Sequence, residues 1–299
     1  MSTIKHSFSS MNTTVEMYLE SVADGRESFV ITEVNQLFSI IESQCSRFNQ
    51  QSELSALNSS QGKVVQVSPA LLQILQAAEK AYFQSEGIYN PGILRQLQMA
   101  GYNTSFDEIQ QSGPSSQRRE VCNPVDKLPY QIIDPEKRLV EVIDQVGIDL
   151  GGIAKGWCVD HVSEFLSLHG CGYINAGGDL RVFGQRKESW KIGVEDPFQP
   201  NRDKAVVHLT KGAVATSSTW KRKWRVGNVS NHHLIDPRTG KPSDSTIVSA
   251  TIMAHDTVAA DVAAKVVLIL GENEGAAWAR KHSYQGFMIL LDGEFRRIG

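Results

Sequence analysis

The sequence predicts an α+β fold, because helical patterns cluster in the first third and the last fifth of the chain and strand patterns lie between them. This order does not fit the alternating βαβ winding of a parallel sheet. The chain has 299 residues, of which 41% are hydrophobic and 21% charged, so it is long enough for one large domain or two modest ones. We expect one domain over residues 1–299 and leave open whether it has two lobes.

The helices are predicted by apolar periodicity and by capping residues. Apolar side chains recur at helical spacing over residues 27–48. Ser68 supplies an N-cap and Pro69 a first-turn proline for a helix that reaches Phe83. A long pattern over residues 257–270 stops before a glycine that suits the left-handed C′ position. Shorter helical patterns cover residues 52–58, 157–166 and 274–281.

The strands are predicted by short apolar runs between turn residues. Tyr130 to Ile133 and Leu139 to Ile143 flank an Asp-Pro turn and predict a hairpin. Further strands are expected over residues 172–180, 181–184, 190–194, 205–209, 213–217, 232–235, 247–253 and 287–291. Residues 103–125 are polar and rich in serine, which predicts a mobile surface loop.

Composition narrows the possible partners and compartment. The formal net charge of -3 gives no electrostatic reason to expect nucleic acid as a partner. The apolar stretch 258–270 contains Asp261 and Lys265 and is too short for a membrane span, so we expect a buried helix. The N-terminal residues show neither a signal-peptide core nor a lipid-attachment cysteine, which predicts a cytoplasmic protein as written, or a periplasmic one if a targeting segment was trimmed.

The run Asp149-Leu150-Gly151-Gly152-Ile153-Ala154-Lys155-Gly156 holds three glycines, a lysine and a carboxylate within eight residues. Glycines let main-chain N–H groups approach an anion, and the N-terminus of the helix that follows favours negative charge. The spacing is neither that of a P-loop nor that of a dinucleotide-binding fold. A tight turn before a helix explains the glycines equally well.

Three further segments carry candidate functional residues. Asn175-Ala176-Gly177-Gly178-Asp179 is either a hairpin turn or a second approach of the backbone to a ligand. His233, before the Asp-Pro turn of residues 236–240, is a candidate acid or base, although a lone histidine is more often structural. Asp261 and Lys265 lie four residues apart on one helical face, either as a structural ion pair or with Asp261 directed into a site.

Taken together and in order, these motifs resemble the ApbE family of FAD:protein FMN transferases, over nearly the whole chain. The residues that carry the resemblance are Met11 to Thr14, Ser46 to Asn49, Ser52 to Asn58, Asp149 to Gly156, Ile174 to Asp179, Ala215 to Ser217, His233 to Pro242, and Ala260 with Asp261. The resemblance implies mixed sheets flanked by helices, with an FAD cleft between the glycine motifs and a C-terminal helix.

The resemblance also implies an activity and roles for residues. The family moves FMN from FAD to a threonine or serine hydroxyl of an acceptor protein, releases AMP and uses Mg²⁺. Catalytic roles would fall to His233 and Asp261, and metal binding to Asp261 and the carbonyl of Ala154. The cofactor-binding residues would be Met11, Thr13, Asn90, Gly151, Gly152, Lys155, Gly177, Gly178, Asp179, Thr216, Ser217, Asp236, Arg238 and Thr239.

Four positions depart from the family pattern. Asn12 replaces a glycine, Asn90 an aspartate and Ser218 a glycine. Lys265 replaces the threonine that usually helps to hold Mg²⁺, and a protonated lysine cannot ligate a metal. Two alternatives to the transferase therefore stay open: an FAD-binding homologue without catalysis, and a pyrophosphatase that converts FAD to FMN and AMP.

Overall fold

The computed structural model describes residues 2–113, 123–143 and 147–299. Its helices are α1 (Glu27–Cys45), α2 (Glu53–Asn58), α3 (Pro69–Gln84), α4 (Leu94–Met99), α5 (Phe106–Ser112), α6 (Ala154–Ser167), α7 (Thr257–Leu270) and α8 (Glu272–Lys281). Its strands are β1 (Ser2–Ser10), β2 (Thr13–Val22), β3 (Val64–Gln66), β4 (Tyr130–Asp134), β5 (Leu139–Val142), β6 (Cys171–Ala176), β7 (Asp179–Phe183), β8 (Trp190–Asp196), β9 (Gln199–Leu209), β10 (Gly212–Ser218), β11 (Lys223–Val226), β12 (Val229–His232), β13 (Ile235–Asp236), β14 (Lys241–Pro242), β15 (Ile247–Ala254), β16 (Gln285–Leu290) and β17 (Phe295–Ile298).

The chain divides into two compact units, and each is built from discontinuous segments. Unit 1 contains Met1–Ile40, Lys155–Ser218 and Ser245–Gly299, and unit 2 contains Ile41–Ala154 and Thr219–Asp244. The boundary falls inside the glycine-rich run, between Ala154 and Lys155. The mixture of helices with antiparallel sheets confirms the α+β prediction.

Unit 1 is organised around a large antiparallel sheet of order β1-β2-β6-β7-β10-β15-β16-β17. Small buried residues, Ala213, Ala215 and Ala260, form one core cluster where α7 meets this sheet, and small side chains allow a close approach of helix to strand. On α6, a Cβ at Gly156 would lie 3.4 Å from the backbone of Thr257, an ordinary van der Waals contact, so α6 and α7 lie next to each other here. The predicted buried helix over 258–270 is confirmed by α7.

Unit 2 combines a small sheet of order β3-β5-β4 with the two-stranded sheets β11-β12 and β13-β14. One of its core clusters contains Tyr102, Trp224 and Ile235. The indole Nε1 of Trp224 donates to the carbonyl of Ala100 at 2.6 Å, which satisfies its buried polar atom. Within the described ranges, no helix combines the length and hydropathy that crossing a bilayer requires.

Several predicted elements are confirmed, including the hairpin β4-β5, the helix that Ser68 caps and the helix that ends before Gly271. The strand predicted over residues 232–235 is wrong as one element, because β12 ends at His232 and β13 begins at Ile235. Strands β1 and β2 were not predicted. β1 is rich in serine and is a weak strand signal, whereas β2 alternates buried Val15, Met17 and Leu19 with polar residues, a strand pattern that sequence reasoning missed.

The loop prediction over residues 103–125 is corrected in its described part. Phe106–Ser112 forms helix α5, because Ser105 and Glu108 make a reciprocal capping box that satisfies orphan N–H groups at its start. Residues 114–122 lie outside the described residues, so the mobility predicted for this segment stays a prediction.

Candidate functional site

In unit 1, two ion pairs form what we call the charged cluster: Lys155 with Asp179, and Lys265 with Asp261. The Nζ of Lys155, in the first turn of α6, also donates to the carbonyl of Ala176 at 3.0 Å. The contact ties the start of α6 to the turn between β6 and β7. The structure thus brings together three predicted site residues and the unusual Lys265.

All four side chains of the charged cluster are largely shielded from solvent. The side chains of Asp179 and Asp261 are 2% and 4% exposed, and those of Lys155 and Lys265 are 17% and 14% exposed. One carboxylate oxygen of Asp261, Oδ1, accepts from Lys265, whereas its buried Oδ2 has no hydrogen-bond partner. A buried carboxylate oxygen without a hydrogen-bond donor costs free energy in the folded protein.

Electrostatics connects the two ion pairs. Burial, and then the negative charge of Asp261, raise the pKa of the Asp179 carboxyl, while the ammonium groups of Lys155 and Lys265 oppose the rise. The pKa of Asp179 therefore depends on the charges of all three other side chains of the charged cluster.

Asp160 fixes the helix that carries Asp261. Its carboxylate, on α6, accepts from the backbone N–H of Thr257 at 2.8 Å and of Val258 at 3.0 Å, at the start of α7. It also pairs with Arg181 at 2.9 Å. Burial raises the pKa of Asp160, and these donors oppose the shift. Asp160 therefore holds α6 against α7. In this way it fixes the position of Lys155, on α6, relative to Asp261, on α7.

Gly177 and Gly178 form the hairpin turn between β6 and β7, which is one of the two interpretations that the sequence allowed. Both have positive φ angles, of 62° and 103°. Their N–H groups donate to the carbonyl of Thr14 at 3.2 Å and to Oδ1 of Asn175 at 3.0 Å. A Cβ at Gly177 would collide with the side chain of Thr13, so glycine is needed here for both conformation and space.

The Met11-Asn12 pair forms the turn between β1 and β2, and both residues have positive φ angles, of 51° and 55°. Asparagine tolerates this conformation better than other non-glycine residues, which explains how Asn12 replaces a glycine.

On β10, Thr216 shares a hydrogen bond of 2.8 Å with the hydroxyl of Thr251, and Ser217 is buried.

In unit 2, Asp149 and Arg47 hold the glycine-rich run. Oδ1 of Asp149 accepts from the N–H of Gly151 at 3.0 Å, and Oδ2 pairs with Nε of Arg47 at 2.7 Å. The Arg47 guanidinium lies 4.1 Å and 4.5 Å from the ring centres of Phe48 and Tyr102. This arrangement gives the Asp149 carboxylate a structural role in shaping the turn that contains Gly151 and Gly152.

The described contacts of Asn90 are with backbone groups of unit 2. Its Nδ2 donates to the carbonyls of Val125 at 3.0 Å and Lys127 at 3.3 Å, and its Oδ1 accepts from Gly92 at 2.8 Å. A carboxylate here would face two carbonyl oxygens without a proton to donate. The geometry therefore explains why an amide replaces the family's aspartate.

His233 lies between β12 and β13, in a segment of residues 232–240 that we call the His233 turn. The neighbouring His232 braces it: one ring nitrogen, Nε2, lies 2.9 Å from the carbonyl of Ser243, and Nδ1 accepts from Leu234 at 3.3 Å. Desolvation by burial lowers the pKa of His232. His232 is therefore a structural brace, and His233 beside it is partly exposed.

The rest of the His233 turn is closed by local bonds. The buried Asp236 carboxylate accepts from the backbone N–H of Arg238 at 2.9 Å and from its guanidinium at 2.8 Å, while its carbonyl accepts from Gly240 at 2.8 Å. The Arg238 side chain is 47% exposed, and Thr239 is exposed as well. Arg238 and Thr239 are therefore the exposed side chains of this turn, and His232 and His233 are partly exposed.

The residues around Asp261 do not fit Mg²⁺. Lys265 already pairs with Oδ1, so a metal ion there would meet a like charge and a neutralised carboxylate. A protonated lysine cannot replace an oxygen ligand, and Mg²⁺ demands near-octahedral oxygen coordination. Over residues 2–113, 123–143 and 147–299, no group of three or more histidine, cysteine or acidic side chains could hold a metal ion.

Comparison with protein-family models identifies the chain's relatives. The model of the ApbE family matches residues 11–289, which is most of the chain. The chain belongs to the ApbE family. This membership confirms the resemblance on which the expected fold and site residues were based.

Two curated members of the ApbE family have low sequence identity to this chain but align with it over most of their length. The FAD:protein FMN transferase of Vibrio cholerae is 25% identical over 289 residues, which cover 94% of this chain and 85% of the relative. The enzyme of the same name from Haemophilus influenzae is 25% identical over 256 residues, which cover 83% of this chain and 72% of the relative.

Solved ApbE structures share the fold. The flavin transferase ApbE from Vibrio cholerae superposes with a TM-score of 0.77 at 25% identity, over 99% of this chain and 96% of that one. The ApbE protein of Thermotoga maritima superposes with a TM-score of 0.83 at 24% identity, over 99% of this chain and 97% of that one. The ApbE fold is thus retained over almost the whole chain.

Sequence reasoning missed two residues that position the site, Arg47 and Asp160. Arg47 stood in a quoted motif without a role, and its partner Asp149 is about a hundred positions away in sequence. Asp160 is a buried carboxylate on α6, and carboxylates are rarely buried unless they are paired. In the sequence, its only signal is its position among the apolar residues of a predicted helix.

Proposed function

We propose that this chain is an FAD:protein FMN transferase that attaches FMN to a threonine or serine hydroxyl of an acceptor protein. The curated relatives carry this name and match the chain along most of its length. The observation that carries the proposal is the charged cluster, in which buried Asp261 and paired Lys155 lie beside the β6-β7 turn of the family fold.

The reaction is a phosphoryl-type transfer. The acceptor hydroxyl oxygen attacks the phosphorus of the FMN half of FAD, and a new O–P bond forms. The bond between that phosphorus and the bridging oxygen breaks, and its electron pair leaves on the phosphate of AMP. The hydroxyl proton passes to a base, and the resemblance assigns this assistance to His233. Preorganised positive charge stabilises the departing phosphate.

The remaining residues receive binding roles under this proposal. In unit 1, Lys155 supplies positive charge, and residues of the two hairpin turns and of β10 border the nucleotide: Met11, Thr13, Gly177, Gly178, Asp179, Thr216 and Ser217. In unit 2, the contributing residues are Asn90, Gly151, Gly152, Asp236, Arg238 and Thr239. Because the N–H groups of Gly177 and Gly178 are bonded within the protein, we assign these glycines a shaping role.

Magnesium accompanies the activity in the resemblance, with Ala154 and Asp261 as its ligands. Because the side chains around Asp261 do not fit that ion, the proposed mechanism routes no step through a metal. Each step is assigned to this chain's own charged and polar groups.

The test is incubation of the purified chain with FAD and an acceptor domain that has an exposed threonine. We expect a covalent mass increase of one FMN on the acceptor and release of AMP in equal amount. A matched control acceptor carries valine in place of the threonine and should gain no mass. Unmodified acceptor in the presence of bound FAD would contradict the transferase and favour the FAD-binding homologue.

The pyrophosphatase alternative is separated by omitting the acceptor. Formation of FMN and AMP at the same rate without acceptor would identify hydrolysis as the reaction. We expect FAD to remain intact in that sample, because the proposed nucleophile is the acceptor hydroxyl.

A further inference from the structure

The charged cluster is formally neutral, and this follows from Lys265. The two ammonium groups of Lys155 and Lys265 balance the two carboxylates of Asp179 and Asp261. With threonine at position 265, the remaining three residues would carry one net negative charge and would attract a cation. Lysine supplies that cation from the chain itself.

The position of the ammonium also decides what else fits beside Asp261. Lys265 lies one helical turn after Asp261 on α7 and bonds to its Oδ1. A divalent ion bound to the same carboxylate would have to displace the ammonium or accept its repulsion at short range. Burial of both side chains strengthens their ion pair and so raises the free-energy cost of displacing the ammonium.

The ammonium of Lys265 can also offer an anion part of the positive charge that a metal ion would offer. It has three donors, and its bond to Asp261 uses one of them. Its side chain is 14% exposed, so an anionic ligand can approach it. A phosphate oxygen is a suitable acceptor for such a charge-assisted bond.

We propose that the Lys265 ammonium takes the place of a divalent cation beside Asp261, so that this chain binds FAD and transfers FMN without Mg²⁺. The statement about transfer rests on the proposed function, whereas the statement about FAD binding stands without it. The acceptor hydroxyl, the leaving phosphate of AMP and the transferred proton are those of the reaction described above. Lys265 changes only the source of the positive charge.

The experiment compares the unaltered chain with Lys265→Thr, and uses Lys191→Thr as a matched control because Lys191 lies exposed on β8. The affinity for FAD is measured by quenching of flavin fluorescence in excess EDTA and in Mg²⁺. The unaltered chain and the control should change less than about twofold between the two conditions, and Lys265→Thr should weaken about tenfold in EDTA and recover in Mg²⁺.

A second readout does not depend on activity or on FAD fluorescence. Mn²⁺, used as a paramagnetic probe, is titrated with each protein in the absence of FAD, because the pyrophosphate of FAD would itself bind the ion. The signal of free Mn²⁺ is followed by electron paramagnetic resonance. The unaltered chain should leave the signal of free Mn²⁺ unchanged. Lys265→Thr should reduce it, because the three remaining charges attract a cation.

The outcomes separate this inference from the proposed function. If EDTA weakens FAD binding by the unaltered chain about tenfold, or if the unaltered chain binds Mn²⁺, the inference is overturned whatever the transfer assay gives. If FAD binding is independent of metal but no acceptor receives FMN, the transferase proposal fails and the inference stands. If Lys265→Thr does not fold, the results for the unaltered chain decide.

Discussion

The charged cluster of unit 1 and the His233 turn of unit 2 hold their polar side chains in different ways. In the charged cluster, Asp179 and Asp261 are buried and each pairs with one lysine, Lys155 of α6 for Asp179 and Lys265 of the same helix, α7, for Asp261. In the His233 turn, the backbone closes the loop through bonds of Asp236 and Gly240, and the Arg238 side chain extends into solvent.

This difference predicts how strongly a single substitution in each region will change the stability of the protein. Removing one member of a buried ion pair leaves an uncompensated charge in a poorly solvated place. Removing one side chain from a turn closed by backbone bonds leaves most of the turn intact. The charged cluster should therefore control stability and charge, and the His233 turn should control chemistry with little effect on stability.

The largest effect is expected from Asp179→Asn in the charged cluster. Lys155 would lose its counter-charge while still largely shielded from solvent, which should lower the free energy of unfolding by about 3–5 kcal/mol. Urea denaturation measures the change. The matched control Glu164→Gln removes an acid whose side chain is 67% exposed and should cost less than about 1 kcal/mol. Equal losses in the two variants would remove the distinction between the regions.

His233→Asn tests the catalytic side of the comparison. If His233 accepts the hydroxyl proton, the rate of FMN transfer should fall about 100-fold, at the lower end of general-base contributions, while stability stays nearly unchanged. The rate is followed by the mass increase of the acceptor protein. His255→Asn serves as the control, because His255 is 79% exposed on unit 1 and has no assigned role. A variant that transfers FMN at the original rate would exclude His233 as the base.

Asp236→Asn should have a smaller effect on stability. The variant loses the ion pair with Arg238, whose side chain is half exposed, but keeps the backbone bonds from Gly240 and Thr239 to the carbonyl of residue 236. We expect a loss of about 1 kcal/mol in the free energy of unfolding. Arg238→Gln should lose a similar amount, because both variants break the same pair. A loss as large as that of Asp179→Asn would mean that charge also holds this turn.

The smallest effect is expected from the titration of His232. Burial lowers its folded-state pKa below the ordinary value of 6.5, so the unfolded chain binds the proton more readily. Its contribution to stability is therefore fully present above pH 6.5 and is lost as pH falls from there through the folded-state pKa. Denaturation profiles of the chain and of His232→Asn, measured against pH, should diverge in that direction. Parallel profiles would show that His232 does not titrate on unfolding.

The sequence predicted much of the fold because local signals were strong. The capping serine and proline of α3 and the apolar run of α7 determine their helices with little help from the rest of the chain. Prediction from the sequence failed where an element depends on its pairing with another strand. Strand β1 is rich in serine, and its strand character depends on its pairing with β2. Helix α5 was missed for another reason, because its capping box lies inside a polar segment that resembles a loop.

The order of the motifs along the chain predicted which residues belong to the candidate site. It did not predict which of those residues contact one another. Sequence spacing gave the Asp261–Lys265 ion pair as one of two interpretations, since both residues lie on one face of one helix. The pairs Lys155–Asp179 and Arg47–Asp149 join residues 24 and about 100 positions apart, and nothing local connects them. Asn90 shows the same limit, because the two backbone carbonyls that accept from its Nδ2 are 35 and 37 positions away.

By itself, then, the sequence determined the α+β class, the family and the order of the glycine-rich, histidine and aspartate motifs along the chain. Tertiary packing was needed to show that the N–H groups of Gly177 and Gly178 bond within the protein, that Asp160 holds α6 against α7, and that Lys155 neutralises the buried carboxylate of Asp179. The reason is physical. Periodicity and turn chemistry act between neighbours in sequence, whereas the partner of a buried charge is chosen by whichever strand or helix packing brings within reach.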